Sequence, residues 1–194
     1  MSYALSNTSH SALLNPVEIR REWARRRLLA FTEHTYAGYR ANWHHRVLCD
    51  KLDDLVAGRI KRLMVFMPPQ HGKSELVSRR LPAYVLGRDP NARIIACSYS
   101  ADLAQRMNRD TQRIIDSDEY RDLFPSTALY GANVRTVASG AYLRNSDIFE
   151  VVGHRGSYRG AGVGGGITGM GFDIGIIDDP IKNREEAESK TYRD

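Results

Sequence analysis

Leu63–Glu75 reads LMVFMPPQHGKSE, and the order of residue types in it decides the fold. Five apolar residues, Leu63–Met67, predict a buried strand. Pro68 to Gly72 predict a tight loop, and Lys73-Ser74 the first turn of a helix. That order builds a phosphate cradle, because the loop turns N–H groups inward and the helix adds its positive N-terminal end. In the pattern G-x-x-x-x-G-K-[ST], the lysine reaches the β/γ-phosphates and the hydroxyl holds Mg²⁺. Met67 stands where the first glycine belongs, and Gly72, Lys73 and Ser74 complete the pattern. The candidate nucleotide-binding residues are therefore Pro69, Gln70, His71, Gly72, Lys73, Ser74 and Glu75, with Ser74 also a metal ligand. The bland alternative is a surface turn with a solvated lysine. The apolar run in front of the loop weighs against it.

A second apolar strand near the other end supplies the missing half. Asp173-Ile174-Gly175-Ile176-Ile177 runs into Asp178-Asp179 and Pro180. An apolar strand that delivers carboxylates at its C-terminal end is what the metal side of a nucleoside triphosphate site needs. Asp178 is the expected metal ligand, and Asp179 the carboxylate expected to activate a water. Aspartates that merely cap a strand-to-loop turn are the alternative. Two halves of one site in the right order argue against that coincidence. The predicted fold class is α/β, with a mainly parallel central sheet flanked by helices.

Between these halves, a helix is predicted over Lys73 to Gly87, bent at Pro82. Arg93–Cys97 predicts a buried strand, and Ser100 the cap of a helix from Ala101 to about Asp116. Short strands are expected at Val134–Ala138 and Ile148–Val152. Of sixteen glycines in the chain, nine fall between Gly153 and Gly171, which argues against a regular helix or strand there. The stretch also carries His154, Arg155, Tyr158 and Arg159, unlike a Gly/Ser linker, so a functional loop is expected. After the carboxylates, Asn183 with Glu186 predicts another helix start.

Upstream, Met1 to Leu14 is rich in Ser and Asn and reads as mobile. Asn15-Pro16-Val17-Glu18 predicts a helix start and a run to about Phe31, with Ile19, Trp23 and Ala30 on its apolar face. Asn42 and Gly58 bracket a second helix, Trp43–Val56, with Leu48, Leu52, Leu55 and Val56 buried. Phe31, Tyr36, Tyr39 and Trp43 either pack these helices or frame an adenine. His44 and His45 are adjacent and so do not share a helix face as a metal pair. Residues 1–58 are read as a helical segment and residues 59–194 as the core.

The 194-residue chain has a net charge of +5. Arg20, Arg21, Arg25, Arg26, Arg27, Arg59, Lys61 and Arg62 carry much of the excess, either as a solvated face or as a DNA-binding surface. Cys49 and Cys97 sit in apolar stretches and read as thiols in a reducing compartment. No apolar run approaches the roughly 20 residues of a membrane span, and no signal-peptide core opens the chain.

Three blocks, MPPQHGKSELVSRRLPAYVLG, IIACSYSADLAQRMNRD and GGGITGMGFDIGIIDDPIKNREEAES, together resemble the N-terminal ATPase domain of a tailed-phage large terminase subunit. The likeness covers Trp43 to the last residue. It implies a P-loop fold of the additional-strand, catalytic-glutamate type that hydrolyses ATP with Mg²⁺ and drives double-stranded viral DNA through a portal protein into a capsid. It also implies a homo-oligomeric ring, a small terminase subunit as partner, and the host cytoplasm as setting. By position, Lys73 and Ser74 match the phosphate-binding lysine and the Mg²⁺-binding hydroxyl, and Asp178 the magnesium-side aspartate. Asp179 stands where the family places a glutamate, one methylene longer. Relatives often carry an arginine in the loop, where this chain has Pro69 and Gln70. For the arginine that relatives supply from a neighbouring subunit, Arg159 is the first candidate and Arg155 the second; both otherwise suit DNA phosphates. A nuclease domain follows in relatives, so the chain reads as a fragment. A helicase-like P-loop ATPase, a P-loop phosphotransferase and a nucleotide-binding module without turnover are the rival readings.

Overall fold

In the computed structural model, which describes residues 15–131, 134–135, 142–181 and 188, strand β1 (Arg93–Ser98) is the spine of the molecule. Its run Ile94-Ile95-Ala96 is buried throughout, as a central parallel strand demands. Strands β5 (Ser157–Gly162) and β6 (Ile174–Asp178) flank it, both parallel, and β4 (Ile148–Glu150) joins β5 antiparallel. The strand order is β4-β5-β1-β6. Val134–Arg135 (β2) and Tyr142–Leu143 (β3) form a separate parallel pair. The fold class is α/β, with a mixed, mostly parallel sheet.

The register sets which face meets the helices. Ile94 pairs with Ile174 and Tyr158, Ala96 with Ile176 and Gly160, and Ser98 with Asp178 and Gly162. Side chains alternate along a strand, so these residues share one face. Ile94, Ala96, Ile176 and Tyr158 join the buried core there.

Several expectations are corrected. Leu63–Met67 forms no ladder with another strand among the described residues. Leu63, Val65 and Met67 pack on the core, whereas Met64 and Phe66 are 79% and 85% exposed. The run keeps the alternation of a strand but has only one covered face. The glycine-rich stretch, in turn, contains β5, a strand interior to the sheet. Its glycines answer to close packing. A Cβ on Gly160 would meet the Ala104 carbonyl oxygen at 3.1 Å, and one on Gly162 the Ala101 nitrogen at 2.6 Å. Helix α5 (Ala101–Ile115) lies directly on β5 because those side chains are missing.

The segment after the loop is also not a simple bent helix. Glu75–Arg80 is a π-turn, followed by α4 (Leu81–Arg88). The Leu81 N–H reaches back five residues to the Leu76 carbonyl. Pro82 has no N–H and its ring clashes with the carbonyl four residues earlier; the widened turn lies just before it. A π-turn of this kind accommodates such a residue.

Upstream, the expected single helix is two, α1 (Pro16–Arg26) and α2 (Leu28–Thr35), broken at Arg27 in extended geometry. The buried Asp53 carboxylate accepts from the Leu28 N–H at 3.0 Å and starts the second helix. The buried face carries Ala24, Leu28 and Phe31; Ile19 and Trp23 are exposed, contrary to the predicted stripe. Phe31 is fully buried against Tyr84, with ring centroids 5.4 Å apart, so it frames no ligand. Helix α3 (Trp43–Val56) and the caps at Asn15, Asn42 and Ser100 are as the sequence predicts. Helix α6 (Asp118–Leu123) adds Tyr120, whose hydroxyl donates to the Ala83 carbonyl at 2.9 Å. One core runs across residue 58, from Leu28, Leu48 and Leu52 to Leu76, Leu86 and Ile94.

Met1 to Leu14, the 136–138 part of the expected strand, and the Asn183–Glu186 helix start lie outside the described residues. No described helix is long and apolar enough to cross a membrane. Neither free cysteine is in a disulfide; burial pushes the Cys49 thiol up to about 12.

Candidate functional site

Lys73 and the carboxylate pair, far apart in the chain, meet at one point. Lys73 Nζ lies 3.3 Å from Asp178 Oδ1 and 2.6 Å from Asp179 Oδ1. Burial works against the charge on Lys73, but its bond to Asp179 and the attraction of Asp178 outweigh that and push its ammonium up. Asp178 ends β6 on the helix-facing side and is buried. Consecutive strand residues point to opposite faces, so Asp179 would ordinarily turn away from Lys73. Its left-handed φ of 47° swings the chain and brings both carboxylates to one lysine. Aspartate tolerates that region better than most residues. The Tyr99 N–H donates to the Asp179 carbonyl at 3.1 Å and ties the turn to the end of β1.

The loop itself is held from outside. Gln70 and Gly72 adopt φ of 62° and 82°. His71 Nδ1 bonds the Pro69 carbonyl at 2.8 Å. His45 caps α3 by accepting the Asn42 N–H on Nδ1 at 3.1 Å, so its proton sits on Nε2, which donates to the His71 carbonyl at 3.1 Å. A Cβ on Gly72 would stand 2.8 Å from that Nε2. His45 is thus a brace between α3 and the loop, a role that residue types and spacing do not disclose. The only sequence signal is its position three residues after the Asn42 cap.

The arrangement fits a triphosphate and a divalent cation. The N–H groups of Gln70, His71 and Gly72 bond no described backbone carbonyl. Those of Lys73 and Ser74 open a helix, where no carbonyl one turn earlier is available. Ser74 Oγ bonds no described side chain or carbonyl. With Asp178 Oδ1, it offers the few oxygen donors that Mg²⁺ takes from protein when phosphates supply the rest. No group of three or more His, Cys, Asp or Glu side chains that could hold a metal ion occurs among the described residues. The Glu75 carboxylate is engaged elsewhere, with Arg79 at 2.9 Å and Arg80 at 2.7 Å.

The two arginines do not join this site within one chain. Arg159 lies in β5 on the sheet face opposite Tyr158, beside a 220 Å³ cavity shared with Arg93, Ile95, Ile148 and Met170. Arg155 sits in the turn before β5, where its N–H donates to Asn91. Tyr36 and Tyr39 are 5.7 Å apart, and Tyr39 is 5.5 Å from His45, so an aromatic row leads toward the loop. Burial pushes the Tyr39 hydroxyl up to about 12. Trp43 is exposed but meets the His44 ring edge-on, with centroids 5.7 Å apart, and His44 lies 4.1 Å from His45, which joins it to the end of that row. The basic helix is largely neutralised: Arg21 pairs with Glu18 and Asp122, Arg25 with Glu18 and Glu22, Arg26 with Glu22, and Arg27 with Asp50 and Asp53.

The chain is an α/β protein with a mostly parallel sheet, and the edge strand of that sheet leads into two aspartates that meet a loop lysine. The particular family follows from sequence: residues 64–194 match that of the terminase large subunit, T4likevirus-type, N-terminal, and the chain belongs to it. That family serves viral DNA packaging. No curated protein and no solved structure matches the chain.

Proposed function

We propose that this chain is a P-loop ATPase that powers DNA packaging. The observation that carries the reading is the convergence of Lys73 with Asp178 and Asp179, at 3.3 and 2.6 Å, from a loop and a strand a hundred residues apart. Lys73 and the free N–H groups of Gln70, His71 and Gly72 hold the phosphates of ATP, with Pro69 and Glu75 at the two ends of the cradle. Ser74 and Asp178 hold Mg²⁺, which when bound neutralises charge on the phosphates. Asp179 orients the attacking water and takes its proton. Lys73 and Asp179 are bonded to each other at 2.6 Å, so phosphates that take the lysine would displace Asp179 and leave its carboxylate to act on water. The row Tyr36, Tyr39 and His45 frames the base.

Membership of the family supports the remaining assignments: double-stranded viral DNA as the load, portal protein and small terminase subunit as partners, a homo-oligomeric ring, and the host cytoplasm. Arg159, and after it Arg155, would act on the phosphates of a neighbouring subunit, since neither reaches Lys73 in its own chain.

The test is phosphate release by the chain with Mg²⁺, compared with Lys73→Ala. Release that vanishes in the variant supports the reading. Equal release from both, or phosphate transferred to a small acceptor instead of water, would reject it.

A further inference from the structure

Asp178 uses its two oxygens differently. Oδ1 faces Lys73 at 3.3 Å. Oδ2 accepts a hydrogen bond from the Ser78 hydroxyl at 2.7 Å in the interior. Ser78 is buried and lies in the middle of the π-turn, one turn beyond Ser74 on the segment that packs against β6. Two other buried hydroxyls lie on the same face of the sheet. Ser98 is the register partner of Asp178, and Tyr158 feels the charge of Asp178 while burial pushes its phenol up. Neither Ser98 Oγ nor Tyr158 OH has a hydrogen-bond partner among the described residues. Of these three hydroxyls, only that of Ser78 is bonded to the carboxylate.

We propose that Ser78 is a positioning residue that pins Asp178 Oδ2, so that Asp178 offers a metal ion Oδ1 alone. This rests on the reading of Asp178 as a metal ligand. The pinned oxygen keeps a second lone pair, but the Ser78 bond holds it in the buried interior, so the oxygen presented toward Lys73 and a metal is Oδ1. That suits Mg²⁺, which demands near-octahedral geometry, and disfavours the bidentate contact that Ca²⁺ accepts. Ser78 thereby tunes the cation selectivity of the site without touching nucleotide or metal. Partners that orient a ligating group in this way change metal affinity by about 10–100-fold when removed.

The experiment measures binding of a fluorescent ATP analogue to the full chain while Mg²⁺ or Ca²⁺ is titrated. In Ser78→Ala the Mg²⁺ concentration for half-saturation rises about tenfold, and that for Ca²⁺ rises less or falls. Ser78→Thr restores the original values. Ser98→Ala, which removes a hydroxyl without a partner, leaves them unchanged. If Ser78→Ala does not fold, Ser78→Cys, with a weakly donating thiol, gives the same ordering at smaller amplitude. Unchanged Mg²⁺ half-saturation in the Ser78 variants, or equal shifts for both cations, overturns the proposal alone. A wild-type chain that binds the analogue without any cation dependence, or not at all, overturns the site assignment and this inference with it.

Discussion

Lys73 and Asp179 are bonded at 2.6 Å although 106 residues separate them. The cation proposed to receive phosphate and the carboxylate proposed to act on water therefore neutralise each other. Asp179→Asn is expected to keep ATP binding, because the lysine loses a competitor for phosphate. Phosphate release should fall by about 10²-fold or more, the usual loss when a general base is removed. Parallel binding and turnover assays check this; loss of binding would instead give Asp179 to the metal.

His45 and Gly72 should be energetically coupled. His45→Ala removes the bond to the His71 carbonyl and the acceptor for the Asn42 N–H, worth about 1 kcal/mol in a partly exposed setting. Gly72→Ala adds a left-handed φ penalty and an overlap with the His45 ring. In the His45→Ala background the overlap disappears and only the backbone penalty remains. Denaturant midpoints of the two single variants and the double variant are expected to be non-additive in that direction.

Glycines in the rich stretch differ in what they do. Gly162→Ala drives a methyl group against the Ala101 backbone and should cost about 1–3 kcal/mol by overpacking, read as a Tm several degrees lower. Gly166→Ala meets nothing within 4 Å and has no left-handed φ. Its Tm should stay at or slightly above that of the parent, since alanine narrows the unfolded ensemble.

Burial holds the Asp53 carboxyl above the usual carboxylate range, with the Leu28 N–H and Arg27 pulling the other way. Between the ordinary value of about 3.9 and the raised one, the folded chain binds a proton that the unfolded chain has released. Stability contributed by this group is therefore present at the acid end and lost as pH rises through that window. Asp53→Asn keeps an acceptor for Leu28 and removes the titration. Chemical denaturation across the acid range should show a flatter pH dependence in the variant.

How far the sequence reached varies from element to element. The caps at Asn15, Asn42 and Ser100 were legible because a cap is a contact between residues two or three apart. The strand Arg93–Ser98 was legible because a run buried on both faces needs no neighbour to identify it. The break at Arg27 was not, since its cause is Asp53 on another helix. Strand β5 was hidden for a similar reason: glycine composition argues against a strand until α5 is seen lying on Gly160 and Gly162. Leu63–Met67 misled in the opposite sense, because five apolar residues do not say whether a second face is covered. The row of arginines read equally as a solvated face or a DNA-binding surface; Glu18 and Glu22 pair with it along the same helix, and only the fold brought Asp50, Asp53 and Asp122 to it.

By itself the sequence determined the two halves of the site, Gly72-Lys73-Ser74 and Asp178-Asp179, and the α/β class, because motif chemistry and periodicity are local properties. Tertiary structure alone decided that both aspartates face Lys73, that His45 braces the loop, and that Ser78 takes one oxygen of Asp178. Those are contacts between distant segments, and they exist only once burial of a shared core has fixed the strands and helices against one another.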